Sequence, residues 1–184
     1  MLRTLLVVAA VMLARPSLAE ACGNEVELTV NDYAKMVARA EKQLEAGQFA
    51  KAKRSIGHVR MPTAALQQRA DDVRAVLLLR ISTKPKDLET AAQRFKTRSE
   101  AKPDDVRFRA WLAEAQLALG NKEDAPKLLA ELHEKDLIPD AYGYLALAKL
   151  STGAERYNFW KACRTRSKDK NLCELPAEKA AAKS

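Results

Sequence analysis

Apolar and small residues recur along most of this chain at helical spacing, in blocks that end on a Gly or a Pro. From Tyr33, the positions Met36, Val37, Ala40 and Leu44 fall on one face and stop at Gly47. Phe49, Ala52, Ile56 and Val59 begin a second face that closes near Pro62. A third block runs through Ala65, Leu66, Val73, Val76, Leu77, Leu79 and Arg80, and its "VLLLRI" stretch is apolar almost all round, which predicts burial on more than one side. "STKPKD" breaks that block, and Leu88, Ala91, Ala92 and Phe95 form the next, which ends before Pro103. Val106, Ala110, Leu112, Ala113 and Leu117 lead to Gly120; Ala125, Leu128, Leu129 and Leu132 lead to Pro139. Tyr142, Leu145, Ala146 and Leu150 reach Gly153, and Tyr157, Trp160 and Ala162 complete the series. The pattern predicts four helical hairpins, with Thr29 and Asn31-Asp32 as a cap before the first helix and Asp104-Asp105 as a cap before the fifth.

The hairpins share a period. Gly120 and Gly153 are 33 residues apart, Ala91 and Ala125 are 34 apart, and Gly47 and Gly120 are 73 apart, close to two such steps. The types recur as well. The third unit has Leu112-Ala113, Gly120, Ala125 and Leu129, with Lys122 at an aromatic position; the first has Ala40, Gly47, Phe49, Ala52 and Ile56. The fourth has Leu145-Ala146 and Gly153 with Asn158 where a packing Ala is expected, and the second keeps Ala91, Phe95 and Pro103 but carries Lys86 for Gly and Leu79 for a small residue. A helix–turn–helix unit repeated about every 34 residues resembles the tetratricopeptide repeat. The other reading of the pattern is an irregular helical bundle. The resemblance implies an all-α, right-handed α-solenoid of about four hairpins over residues 31–165. It also implies a groove lined by the first helices that grips a peptide or protein. In that groove the resemblance places Arg107, Trp111, Glu114 and Tyr142; an aromatic at helical spacing also packs inward, and Trp111 reads more readily as core than as contact.

The chain's ends differ from the repeats. Met1-Leu-Arg3, the apolar run Thr4–Leu13 and the small residues after Arg15-Pro16 have the form of a secretory signal over residues 1–21, cut near Ala19 or Ala21, because the apolar run is too short to span a bilayer. Residues 22–30 are a lead-in segment, and residues 166–184 form a basic, Ala/Lys-rich tail. The location expected is exported: periplasmic, outer-membrane associated or extracellular, of bacterial type. Three cysteines remain after processing. Cys163 and Cys173 are close enough in sequence to bridge and staple the last helix to the tail, which leaves Cys22 over. Cys22 is a candidate lipid-attachment site, although Ala19 and Glu20 depart from the usual residues before a lipidated Cys; a Cys22–Cys163 bridge would have to join opposite ends of an elongated array.

Charge and chemistry narrow the function classes. Removing residues 1–19 takes Arg3 and Arg15 and no acid, so the formal charge falls from +8 to +6, with both signs interspersed along helices. A basic factor that binds envelope lipid, polysaccharide or nucleic acid is therefore the alternative to a protein-interaction scaffold, and nucleic acid is not the expected partner of the scaffold. The two His residues, His58 and His133, each stand without a second ligand at metal spacing; the chain has no Cys-x-x-Cys, no phosphate-binding Gly loop and no Gly-x-Ser-x-Gly. No catalytic residue, metal or cofactor is expected, and the reading is of a non-enzymatic scaffold.

Overall fold

A computed structural model describes residues 28–169 and 172–174 of the chain. The expected signal segment, Cys22 with its lipidation or bridging, and most of the basic tail lie outside the described residues. Among the described residues the fold is all helical: α1 (Val30–Glu45), α2 (Phe49–Ile56), α3 (Ala64–Ile81), α4 (Pro85–Ala101), α5 (Val106–Ala118), α6 (Asp124–Glu134), α7 (Ala141–Leu150) and α8 (Gly153–Arg166).

Each odd-numbered helix packs on the even-numbered helix that follows it, giving four hairpins, and each even-numbered helix packs on the next odd one. The odd helices also touch one another in sequence, α1 with α3, α3 with α5 and α5 with α7, so they form the inner layer of a helical repeat solenoid. Three core clusters fill the array. Val37, Ala40, Ala52 and Ile56 meet Leu66, Val73 and Leu77; Ala75 and Val76 turn the other way to meet Phe95 and Phe108; Leu129, Leu132, Tyr144, Phe159 and Trp160 fill the last two hairpins. The apolar "VLLLRI" stretch is thus shared between two clusters, because α3 has neighbours on both sides. Ala40, Ala52, Ala91, Ala110, Ala113 and Ala125 are fully buried, as close approach of helix backbones requires.

Local chemistry sets the helix ends. Thr29, not Asn31 or Asp32, caps α1: its hydroxyl accepts from the Asp32 amide while the Asp32 carboxylate accepts from the Thr29 amide, a reciprocal capping box that starts the helix three residues before Tyr33. Asp105 accepts from the Arg107 amide at the start of α5, as the sequence predicts. Gly47 and Gly120 take the left-handed conformation, with φ of 69° and 93°, that a side chain would resist at these turns. Gly57 does the same at 45° and ends α2 at Ile56, so Val59, expected on the apolar face of that helix, is exposed.

Candidate functional site

The inner layer encloses a cavity of about 760 Å³. Its walls come from all four first helices and from the chain after α8. Apolar and aromatic side chains, among them Leu44, Phe49, Val73, Val76, Trp111 and Tyr142, line it together with charged ones. The cavity therefore has the concave, mixed surface of a groove that can bury a peptide segment.

The arginines on this surface are paired with carboxylates of the same chain. Arg69 of α3 reaches Glu41 of α1 at 2.6 Å, Arg98 of α4 reaches Asp72 of α3 at 2.9 Å, and Arg107 reaches Asp105 at 2.7 Å. Arg94 joins Arg98 on Asp72 at 2.8 Å, and Arg98 also lies over the Phe108 ring at 4.8 Å. The guanidinium of Arg107 lowers the Asp105 carboxyl below its ordinary range.

At the base of the groove a buried polar cluster joins three hairpins. Arg80, near the end of α3, has a side chain only 5% exposed; it donates to Glu114 of α5 and, at 3.2 Å, to Asp140 at the start of α7. Asp140 also accepts from the Trp111 indole N–H at 3.0 Å and caps α7 by accepting from the amides of Tyr142 and Gly143. The Arg80 guanidinium lies 3.9 Å from the centre of the Tyr142 ring. Burial pushes the Glu114 carboxyl up to about 7; Arg80 opposes the rise and Asp140 adds to it. One Glu114 oxygen, Oε1, is buried without a hydrogen-bond partner, which fits a carboxyl poorly compensated for leaving water. Burial likewise raises the Tyr142 hydroxyl to about 12.

The four residues expected in the groove therefore divide. Arg107, Trp111 and Tyr142 line it, Arg107 exposed and the two aromatics half-buried. Trp111 is at once core and lining, since its ring packs 5.6 Å from those of Phe95 and Phe108. Glu114 is buried beneath the surface as Arg80's counter-ion. Cys163 and Cys173 are bonded to each other and buried in the last core cluster.

Sequence reasoning missed Arg80, Asp140 and Phe49 as parts of the site. One signal was present: Arg80 and Glu114 are 34 residues apart, the repeat period, so two equivalent inner-face positions carry opposite charges. Phe49, read only as a turn aromatic, faces Tyr142 across the groove with ring centres 6.0 Å apart. Of the other residues weighed, His58 and His133 are exposed, and His133 lies edge-on to Phe159 at 4.9 Å. The described residues hold no cluster of His, Cys, Asp or Glu suited to a metal ion, and no helix among them is long and apolar enough to cross a membrane.

No curated protein and no solved structure matches the chain with significance. Residues 83–150, which span α4 to α7, match the family model for the tetratricopeptide repeat. Residues 83–150 therefore carry the tetratricopeptide-repeat pattern, and the stacked hairpins on either side continue the same helical-repeat arrangement.

Proposed function

We propose that this protein is a non-enzymatic interaction scaffold of the bacterial cell envelope that holds a peptide or protein segment in the groove between its first helices. Tetratricopeptide repeats generally mediate protein–protein interaction, and the observation that carries the finer reading is the lining itself. Trp111, Tyr142 and Phe49 offer large, stiff apolar surfaces in a concave site of peptide dimensions, where burial of aromatic area dominates binding energy. The buried Cys163–Cys173 bond supports an exported location, because such bonds persist in oxidising compartments. Lipid attachment at Cys22 remains a separate proposal, read directly by the mass of the processed N-terminus.

The alternative, a polyanion-binding factor, draws on the formal charge of +6 that remains once residues 1–19 are removed. Within the groove, however, Arg69, Arg80, Arg98 and Arg107 each face a carboxylate of the same chain. A polyanion in the groove would have to compete with those carboxylates for the four arginines. Crosslinked capture from the native envelope, with the processed protein and its Tyr142→Ala variant side by side at low and high salt, separates the readings. A groove ligand is retained at high salt and lost with the variant. A partner lost at high salt and indifferent to Tyr142→Ala refutes the groove and favours the polyanion.

A further inference from the structure

We propose that the disulfide-held chain after α8 is a working wall of the groove that ties the last hairpin to the first, so that the redox state of Cys163–Cys173 sets the groove's geometry. Close backbone packing links only neighbouring hairpins: the backbones of α1 and α2 do not come against those of α7 or α8. The first and last hairpins nevertheless meet across the groove. A Cβ built on Gly47 would stand 3.8 Å from the Cβ of Asp169, ordinary van der Waals range, and Phe49 meets Tyr142 beside it. Gly47, Phe49, Ser167, Asp169 and Leu172 all line the cavity.

The wall is built to keep that position. Arg166, the last residue of α8, donates to the Ile138 carbonyl at 3.1 Å, to the Tyr144 hydroxyl, and to Asp136 at 3.1 Å. The Ser167 hydroxyl then donates to the Asp169 carbonyl at 2.7 Å and accepts from the Asp169 amide at 3.0 Å, which turns the chain toward Gly47. Leu172 packs on the last core cluster, and the bond from Cys173 back to Cys163, ten residues earlier, fixes both ends of the turn. A dithiol reductant supplies two electrons and two protons, becomes a disulfide itself, and converts the Cys163–Cys173 bond into two thiols. Asp169 then loses the covalent loop that holds it beside Gly47.

The effect of this change on partner binding rests on the groove reading above; the tie between the hairpins does not, and it is tested without any ligand. Hydrogen exchange would be followed in the full processed protein, oxidised, reduced by a dithiol, and as Cys163→Ala/Cys173→Ala. The amides of Ala46, Gly47 and Gln48 are bonded to Lys42, Leu44 and Gln43 carbonyls, more than a hundred residues from the cysteines. Loss of the disulfide is expected to speed their exchange about tenfold while α3 to α5 hold their protection. Faster exchange confined to the end of α8 and the chain after it would overturn the proposal and leave the disulfide a local staple. Should the cysteine variant lose protection everywhere, Asp169→Gly in the oxidised protein decides: protection at residues 46–48 falls if the wall holds the turn, and unchanged protection there overturns the proposal.

Discussion

Replacing Glu114 with Gln tests whether burial or the ion pair governs the polar cluster under the groove. Glu114 has a side chain 7% exposed, one oxygen on Arg80 and the other without a partner. Burial raises its carboxyl from 4.5 to about 7 in the folded protein. A carboxyl raised on folding holds its proton longer in the native state than in the unfolded one. Between the two values the native state therefore binds more protons, and stability falls as pH rises through that window. The loss is complete above the folded value and nearly absent below the unfolded one. Each pH unit across the window is worth about 1.4 kcal/mol, so wild-type protein at pH 8 carries about 2 to 3 kcal/mol more of this penalty than at pH 5. Gln cannot ionise and carries a penalty that does not change with pH. Urea unfolding of both proteins at the two pH values yields the stability difference at each, and Glu114→Gln should gain about 2 to 3 kcal/mol on wild type between pH 5 and pH 8. A difference independent of pH, or one moving against the variant as pH rises, would show that Arg80 wins over burial and holds Glu114 ionised throughout.

Three further outcomes follow from packing. Gly143 lies in buried helix, where an added Cβ would stand 2.8 Å from the Ile138 Cγ2, a branched methyl with little freedom to retreat; Gly143→Ala should lower stability by about 1 to 2 kcal/mol despite the better helix propensity of Ala, and denaturant midpoints check it. Phe95 is fully buried and Val59 is 38% exposed, so Phe95→Ala should cost about 3 to 5 kcal/mol and Val59→Ala less than about 0.5, a contrast readable as a large and a negligible fall in Tm. Asp72 holds both Arg94 and the buried Arg98, and Asp72→Asn should cost about 2 kcal/mol or more because it leaves a buried guanidinium without its counter-ion; equal stability of variant and wild type in chemical denaturation would contradict this.

The repeating part of this fold was legible because it is written in local chemistry. The turn glycines Gly47 and Gly120 and the small residues at helix crossings recur at the period of the unit, and they mark hairpins where the structure has them. Boundaries were less legible where two local signals compete. Asn31-Asp32 reads as a cap, yet Thr29 with Asp32 satisfies two amides reciprocally and wins. Val59 keeps the helical period of its block but stands outside α2, since Gly57 diverts the chain first. The site was legible only as far as the resemblance pointed to inner faces. Trp111 and Tyr142 line the groove; that Tyr142 faces Phe49, 93 residues earlier, depends on the curvature of the whole array, which no local pattern encodes. Arg80 sits within an apolar run, and its role emerges only when equivalent positions of adjacent repeats are superposed.

The position of Arg80 bears on how such an array holds its curvature. Most of the packing between successive first helices is apolar, and the hydrophobic effect that drives it is non-directional. Arg80 is different. Its guanidinium, fixed in plane, reaches Glu114 in the third hairpin and Asp140 in the fourth, and it lies over Tyr142. A slip of α5 would leave the buried Glu114 without its partner, which is far costlier than a lost apolar contact, and a slip of α7 would take Asp140 from Arg80. Replacing Arg80 and Glu114 together by Met and Leu should thus be neutral or even stabilising in denaturant, while hydrogen exchange along α7 and the Phe49–Tyr142 contact loosen. If the double variant were as rigid there as wild type, the cluster would be a tolerated burial and not the element that fixes the groove's shape.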